Sequence, residues 1–242
     1  MAMMMLDKDI HRLVETACDQ SVQEEAYQKL IKHLELVLEK NNQLNITAIT
    51  DFCEAVYLHL LDSLLATSLI ENEPLGQLCD MGSGNGFPGI SLSIVTERET
   101  LLIESTKKKA RLIAEIIQSL DLDRQVRILD ERIETASLGL KESYQIVTAR
   151  ALAPLSVLLE LSNPLLRIGG VLIAYKGEMK KEELDAAIKL EKKLGMTFEQ
   201  IVKKEIPGNG IARNLIMFKK QDEAEIKLPR GVGLAQKRPL MA

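Results

Sequence analysis

The stretch Leu78–Ile90, which reads L-C-D-M-G-S-G-N-G-F-P-G-I, constrains this chain more than any other. Apolar residues lead into it as a buried strand would. Gly82, Gly84 and Gly86 then alternate, and Pro88 stands where the first turn of a helix accepts a fixed φ. A strand, a bare loop and a helix start in that order predict a βα unit. Without Cβ atoms the loop backbone takes positive φ and approaches a ligand closely, and the helix behind it offers unpaired N–H groups and a positive dipole end. A nucleoside-bearing ligand suits such a place. The spacing is G-x-G-x-G rather than the G-x-G-x-x-G of dinucleotide binders, and a glycine cluster also occurs as a plain turn, so the loop needs support from elsewhere.

That support comes from position. Glu104 follows Gly84 by 20 residues and closes the apolar run Leu101-Leu102-Ile103. An acidic side chain at the tip of the second strand of a βαβ unit is placed to accept hydrogen bonds from ribose hydroxyls; the other reading is a solvated strand end.

A chain of 242 residues with 46% hydrophobic content can bury one main core, as one α/β domain with an extension. Cys18, Cys53 and Cys79 are scattered without a C-x-x-C pair, which predicts small buried residues in a reducing compartment rather than a metal site or disulfide framework. No run is expected to reach the length of a membrane span, and the charged start at Asp7, Lys8, Asp9 and Arg12 lacks the apolar core of a signal peptide, so a soluble cytoplasmic chain is expected. The net charge of −4 is uneven: residues 1–75 carry 5 Lys/Arg against 13 Asp/Glu (−8), and residues 76–242 carry 26 against 22 (+4). From Ile226 onward Lys227, Arg230, Lys237 and Arg238 have no acidic neighbour, either as phosphate contacts or as an ordinary solvated tail.

Residues 7 to 40 read as helical, with Leu30, Ile31, Leu34, Val37 and Leu38 on one face and Asn41, Asn42 and Asn45 ending the run. Residues 45 to 49 form a short connector. Asp51 with Glu54 predicts a capping box opening a second helix to about Ile70. His59 and Asp62 on that helix are an i, i+3 pair, either a buried structural hydrogen bond or a reach toward the ligand. A helix from Pro88 to about Val95 leads to the strand ending at Glu104. Ser105 or Thr106 would cap the next helix, whose first turn holds Lys107, Lys108, Lys109 and Arg111. Cations there oppose the helix dipole, which points to an outside phosphate or to a solvated face.

Strands follow at 126–129, 144–150 and, after a Gly169-Gly170 turn, up to Gly177, and helices separate them. Residues around Ile133 and Glu134 would edge a base. A lysine-rich helix at 180–194 ends at Gly195, and strands at 198–206 and 214–219 close the chain as a hairpin. Alternating strands and helices predict a doubly wound, mostly parallel sheet with ligand loops at the carboxyl ends of its strands. The domain layout expected is a helical extension at 1–70 packed on the core, a Rossmann-like domain at 71–225 and a basic tail at 226–242.

The phrases N-I-T-A-I-T from Asn45, D-M-G-S-G-N-G-F-P-G-I from Asp80, E-S-T-K-K-K from Glu104, T-A-R-A-L-A-P from Thr148 and Y-K-G from Tyr175 together resemble the bacterial RsmG (GidB) family. The likeness spans nearly the whole chain, and G-F-P-G-I is far more specific than the glycine loop alone. Ser91 departs from it where a second proline often follows, and the tail is less proline-rich than usual. The resemblance implies a class I methyltransferase fold, S-adenosylmethionine as cofactor, and 7-methylguanosine formation in 16S ribosomal RNA of the small subunit. It implies that Gly82, Gly84, Gly86 and Phe87 bound the cofactor, that Glu104, Ser105 and Thr106 face its ribose, and that Ile133 and Glu134 face its adenine. Arg150 would lie near cofactor and substrate.

Guanine N7 carries an in-plane lone pair that is free at neutral pH, so this transfer needs alignment rather than a general base, and Arg150 and Lys176 are expected to orient rather than to exchange protons. No metal cluster is evident in the sequence. RNA contacts are expected at Lys107, Lys108, Lys109, Lys227, Arg230, Lys237 and Arg238, on a monomer. The rival readings are a methyltransferase of proteins or small molecules, a nicotinamide oxidoreductase, and a non-catalytic nucleotide-binding scaffold.

Overall fold

The computed structural model describes residues 7–140 and 142–241, with the side chains at 42–44 outside the description. Two helices open the chain where the sequence reads as one. α1 (Asp7–Cys18) and α2 (Glu24–Leu44) are separated at Asp19, which takes a left-handed backbone (φ 57°) that its short polar side chain tolerates. Of the stripe expected on α2, Leu30, Leu34 and Val37 are fully buried, and Ile31 and Leu38 lie at its margins. Asn45 ends the helix in a left-handed conformation.

Asp51 caps the following helix by accepting from the Glu54 N–H at 2.8 Å. That helix is not uniform. α3 (Phe52–Ala55) widens into a π-helical segment (Val56–Leu61) and continues through α4 (Asp62–Leu64) and α5 (Thr67–Glu71). The run Phe52–Glu71 has 20 residues and a most apolar window of mean hydropathy 1.3, so one helix is long and apolar enough to cross a membrane, contrary to expectation. Its environment supplies the reason: 72% of that window is buried inside the fold, with Leu60, Leu61 and Leu64 in the core.

The strands are β1 (Leu78–Met81), β2 (Thr100–Ile103), β3 (Val126–Leu129), β4 (Tyr144–Arg150), β5 (Leu166–Lys176), β6 (Met196–Glu205) and β7 (Ala212–Lys220). They form one sheet in the order β3-β2-β1-β4-β5-β7-β6. Strands β1 to β5 are parallel, and β7 runs antiparallel to both β5 and β6, as a closing hairpin requires. The helices between and after them are α6 (Gly89–Thr96), α7 (Lys107–Ser119), α8 (Ile133–Gly139), α9 (Leu155–Ser162), α10 (Lys181–Ile188), α11 (Glu191–Leu194) and α12 (Leu234–Lys237). Other details differ from the sequence reading. Gly169-Gly170 lies inside β5 rather than in a turn before it, the lysine-rich helix is split into α10 and α11, and Cys53 is only half-buried.

Because strand side chains alternate, the sheet has two apolar faces, and each is covered. Leu78, Leu102, Ile146, Ile173 and Met217 share a core with α1, α2, the rod from Phe52, α6 and α7. Cys79, Met81, Ile103, Val147, Ala174 and Phe218 share a second core with α8 to α12. The chain winds outward from β1 through β2 to β3 and then returns to β4 on the other side of β1. At such a reversal the loops leaving β1 and β4 part, and a crevice opens at the carboxyl ends of the strands.

Candidate active site

A cavity of about 370 Å³ occupies that crevice. Gly82, Ser83, Gly84, Asn85 and Phe87 enter it from the loop after β1, Glu104 and Ser105 from the end of β2, Arg132 to Glu134 from the start of α8, and Arg150 to Leu152 from the end of β4. Its size lies within the range of small-molecule and cofactor sites.

The glycine loop is shaped for close approach. Gly82 has φ 71°, and a Cβ there would stand 2.7 Å from Leu152 Cδ1, so both the backbone and the neighbouring chain require glycine. Gly84 is left-handed and faces open space, whereas Gly86 packs behind the loop against Ile90 and His33 and does not line the cavity. Gly89 opens α6 against β1 and β2: a Cβ would meet Leu102 Cδ2 at 2.3 Å and Asp80 Cβ at 2.8 Å. The closeness lets Asp80 Oδ2 accept from the Gly89 N–H at 3.2 Å, while its Oδ1 accepts from the Thr148 hydroxyl at 2.9 Å. Burial pushes the Asp80 carboxyl up to about 6 despite these bonds.

Glu104 does more than end a strand. Its Oε2 accepts from the Gly84 N–H at 3.1 Å and its Oε1 from the Thr106 N–H at 2.7 Å. The carboxylate thus joins the glycine loop to the N-terminus of α7, and it places a negative charge where the helix dipole and Lys107 to Lys109 are positive. Thr106 occupies the cap position, but neither it nor Ser105 makes the expected side-chain cap; Glu104 satisfies the helix N–H instead. Thr106 lies outside the cavity lining and Ser105 within it.

Arg150 lines the cavity and is anchored on the helical rod. Its Nη1 donates to Leu58 O at 3.2 Å and to Asp62 Oδ2 at 3.1 Å, and Asp62 Oδ1 accepts from Arg213 Nε at 2.8 Å. Tyr175 likewise donates its hydroxyl to Ser63 O at 2.7 Å. Groups on β4, β5 and β7 therefore hold the π-helical segment and the residues just after it. Of the two readings of His59 and Asp62, the mutual hydrogen bond does not form and the reach toward the cavity does, at His59. Asp62 serves the two arginines, and His59 turns into the cavity, where its Nε2 lies 2.9 Å from Thr47 Oγ1 and 3.4 Å from Asn85 Nδ2. His59 stacks on Phe87, and Phe87 stacks on His33. Burial, reinforced at His59 by the Arg150 charge, presses His33 down to about 3 and His59 to about 4, so both rings are neutral at pH 7.

Lys176 is displaced from the role expected of it. It does not line the cavity; its Nζ donates to Ala153 O at 2.8 Å and pairs with Glu183 at 2.8 Å, and Glu183 accepts from the Leu155 N–H. It fixes the loop after β4. The tail also departs from expectation. Arg230 donates twice to the buried Glu160, both at 2.6 Å, and so is not a free phosphate contact. The Gly233 N–H donates to Glu134 Oε1 at 2.7 Å, and Gln236 joins the cavity lining, so the segment before and within α12 closes the side formed by Ile133 and Glu134. Lys107, Lys108, Lys227, Lys237 and Arg238 are exposed, and Lys109 and Arg132 line the cavity.

Sequence reasoning missed Ile46 and Thr47, read only as a connector, and Asn85, read only as a loop spacer; both stretches lie in the phrases that carry the family resemblance. Among the described residues no group of three His, Cys, Asp or Glu is placed to share a metal ion.

Comparison with known proteins agrees with this geometry. The model of the family GidB, rRNA small subunit methyltransferase G, matches residues 26–216. A ribosomal RNA small subunit methyltransferase G of Chloroflexus aggregans is 38% identical over 228 residues, covering 93% of this chain and 94% of that protein. One from Staphylococcus carnosus is 36% identical over 228 residues, covering 92% and 94%. Among solved structures, a putative sarcosine dimethylglycine methyltransferase from Galdieria sulphuraria superposes with a TM-score of 0.55 at 12% identity, over 72% of this chain and 89% of that one, which is a likeness of fold. The match over most of its length settles the family: this chain belongs to rRNA small subunit methyltransferase G, and is an S-adenosylmethionine-dependent methyltransferase of 16S ribosomal RNA.

Proposed function

We propose that the cavity binds S-adenosylmethionine along the glycine loop and that the chain delivers its methyl group to N7 of one guanine in 16S ribosomal RNA. The observation that carries the residue assignment is the Glu104 clamp. With one lone pair on each oxygen spent on the Gly84 and Thr106 N–H groups, the carboxylate is fixed in place with acceptor capacity left for a pair of ribose hydroxyls. The left-handed Gly84 leaves room for a ligand against the backbone, Gly82 lines the cavity while packing on Leu152, and Ile133 and Glu134 offer an apolar edge and a carboxylate to the adenine.

The cofactor supplies an electrophilic methyl carried by a sulfonium. N7 offers a lone pair with no proton to remove, so the protein's task is to align the reactants, exclude water and tolerate positive charge growing on the purine. Phe87, Ile46 and Leu152 keep the cavity apolar where water would compete. Neutral His59 adds no positive charge to the cavity lining. Arg150, tied to Leu58 O and Asp62, orients cofactor and RNA, while Lys176 acts through the 151–154 loop as a positioning residue.

Lys107, Lys108, Lys109, Lys227, Lys237 and Arg238 form the phosphate-contacting set, with Arg230 reassigned to holding the tail. The layout of a helical extension at 1–70, a catalytic domain at 71–225 and a tail at 226–242 belongs to the same reading, as do a monomeric state, a small-subunit particle as the form of the substrate and action in the cytoplasm.

Transfer of labelled methyl from S-adenosylmethionine to unmethylated 30S subunits, to protein-free 16S RNA and to a protein extract tests the proposal. Label at a single 7-methylguanosine of the RNA is expected. Label at another atom or in protein alone would refute it.

A further inference from the structure

Thr47 is held more tightly than a connector residue needs to be. Its N–H donates to Asn41 Oδ1 at 2.9 Å, its Oγ1 accepts from the Ile49 N–H at 3.1 Å, and the same oxygen meets His59 Nε2 at 2.9 Å. The ring's hydrogen decides what the hydroxyl can do. His59 Nδ1 is buried and has no partner among the described residues, and a buried N–H left unpaired is rarer and costlier than an unpaired lone pair. The hydrogen therefore sits on Nε2, which donates to Thr47 Oγ1. Asn85 then turns its amide so that its oxygen faces the ring, an exchange of two nearly indistinguishable atoms.

With Ile49 N–H and His59 Nε2–H both donating, the two lone pairs of the Thr47 oxygen are used, and its own proton can only be given away. No acceptor for it is found among the described residues. Thr47, His59 and Asn85 all line the cavity, and the stack of His59 on Phe87 fixes the ring that fixes the hydroxyl.

A donor of this kind suits one edge of the target base. Guanine presents O6, an acceptor, beside N7, whereas adenine presents an amino donor at that position. We propose that the Thr47 hydroxyl donates to O6 of the target guanine, holding the base with N7 toward the methyl donor and rejecting adenine. The inference rests on the N7 assignment proposed above.

The test compares single-turnover methylation of 16S RNA carrying guanine at the mapped site with RNA carrying 2-aminopurine there, which keeps N7 and lacks O6. Wild type, Thr47→Val and Thr47→Ser are assayed, with cofactor affinity measured by calorimetry. The expected result is that wild type favours guanine over 2-aminopurine about tenfold more strongly than Thr47→Val does, the size of one hydrogen bond. Thr47→Ser restores the preference, and all three bind cofactor equally. Full activity of Thr47→Val on guanine, an equal loss on both RNAs, or a loss traced to weaker cofactor binding would overturn the assignment. A wild-type chain that binds cofactor and leaves no 7-methylguanosine in the RNA would instead overturn the N7 reading, and this inference with it.

Discussion

The two walls of the cavity are built by different means. The wall from the strand ends is made of neighbours and backbone: Glu104 reaches the N–H two residues ahead and the N–H of a loop one βα unit back. The wall from the N-terminal helices is made of side chains that meet across long stretches of chain, with Arg150 reaching Leu58 and Asp62 across 92 and 88 positions. A backbone wall survives most single replacements because its donors are not side chains. A side-chain wall concentrates its stability in a few atoms.

Asp62→Ala breaks the second wall hardest. The carboxylate is buried and neutralises both Arg150 and Arg213, and its removal leaves two partly buried cations unpaired. Removing one partner of such a cluster costs about 3 kcal/mol of folding stability. Denaturant titration checks this. A loss no larger than that of a surface substitution would mean that the helical rod is held by apolar packing alone, and the contrast between the walls would vanish.

The walls also respond to acid in opposite directions. His33 and His59 belong to the helical side; their folded values of about 3 and about 4 lie below the 6.5 of the free ring, so the unfolded chain takes up protons first and stability falls as pH drops below 6.5. Asp80 belongs to the strand side; its folded value of about 6 lies above the free 3.8, so its contribution is lost as pH rises from 3.8 toward 6. Between pH 6 and 4 the unfolded state binds two extra protons at the histidines and one fewer at Asp80, a net loss of about 1.4 kcal/mol per pH unit on acidification. Unfolding free energies across that range should show the slope, flattened in His33→Gln and steepened in Asp80→Asn. A profile that rises on acidification in wild type would show that both rings are protonated in the folded chain, leaving the opposite slope of Asp80 alone, and a flat one that a single ring is.

The same contrast explains what the sequence disclosed. That Gly82, Gly84, Glu104, Ile133 and Glu134 gather at one cavity was legible because each sits close to a strand end, where local rules place it, and Phe87 came from the family resemblance. The doubly wound, mostly parallel sheet and its closing hairpin followed from the alternation of strands and helices, while the strand order is read from the structure. Which of the two readings of His59 holds, its contact with Thr47 and the Asp62 partnerships were not legible, because which side chain meets which across 12 to 151 positions depends on packing that no periodicity encodes. The π-helical segment had no signature either: its residues are mostly apolar like those of a core helix, and in the structure Arg150 donates to Leu58 O within it while Tyr175 donates to Ser63 O just after it. Lys176 was assigned by its charge near a strand end and Arg230 by charge in the tail, and neither feature tells a ligand contact from a cation already paired with Glu183 or Glu160.

On the strand wall, Glu104→Gln isolates the clamp. The amide keeps one acceptor and exchanges the other for a donor facing an N–H, which removes one charge-assisted bond and the charge offered to the ribose. Cofactor affinity should fall about thirtyfold, close to 2 kcal/mol, with less effect on folding than Asp62→Ala, and calorimetry beside denaturation reads both. An equal loss in stability would make Glu104 a structural tie first and a ligand contact second, and would bring the two walls closer in kind.

The smallest expected effect separates the cations of the tail, which completes the strand wall through Gly233 and Gln236. Arg230 is spent on Glu160, whereas Lys237 and Arg238 are exposed on the same segment. Each phosphate contact releases counterions, so the slope of log affinity for RNA against log salt should shrink by about 0.7–0.9 for Lys237→Ala and again for Arg238→Ala. Arg230→Ala should leave that slope unchanged and instead free the tail, so that proteolysis within 226–241 speeds up and cofactor escapes faster. If all three variants shift the slope alike, the Arg230–Glu160 pair opens when RNA binds, and the strand wall is then completed by the substrate rather than by the protein.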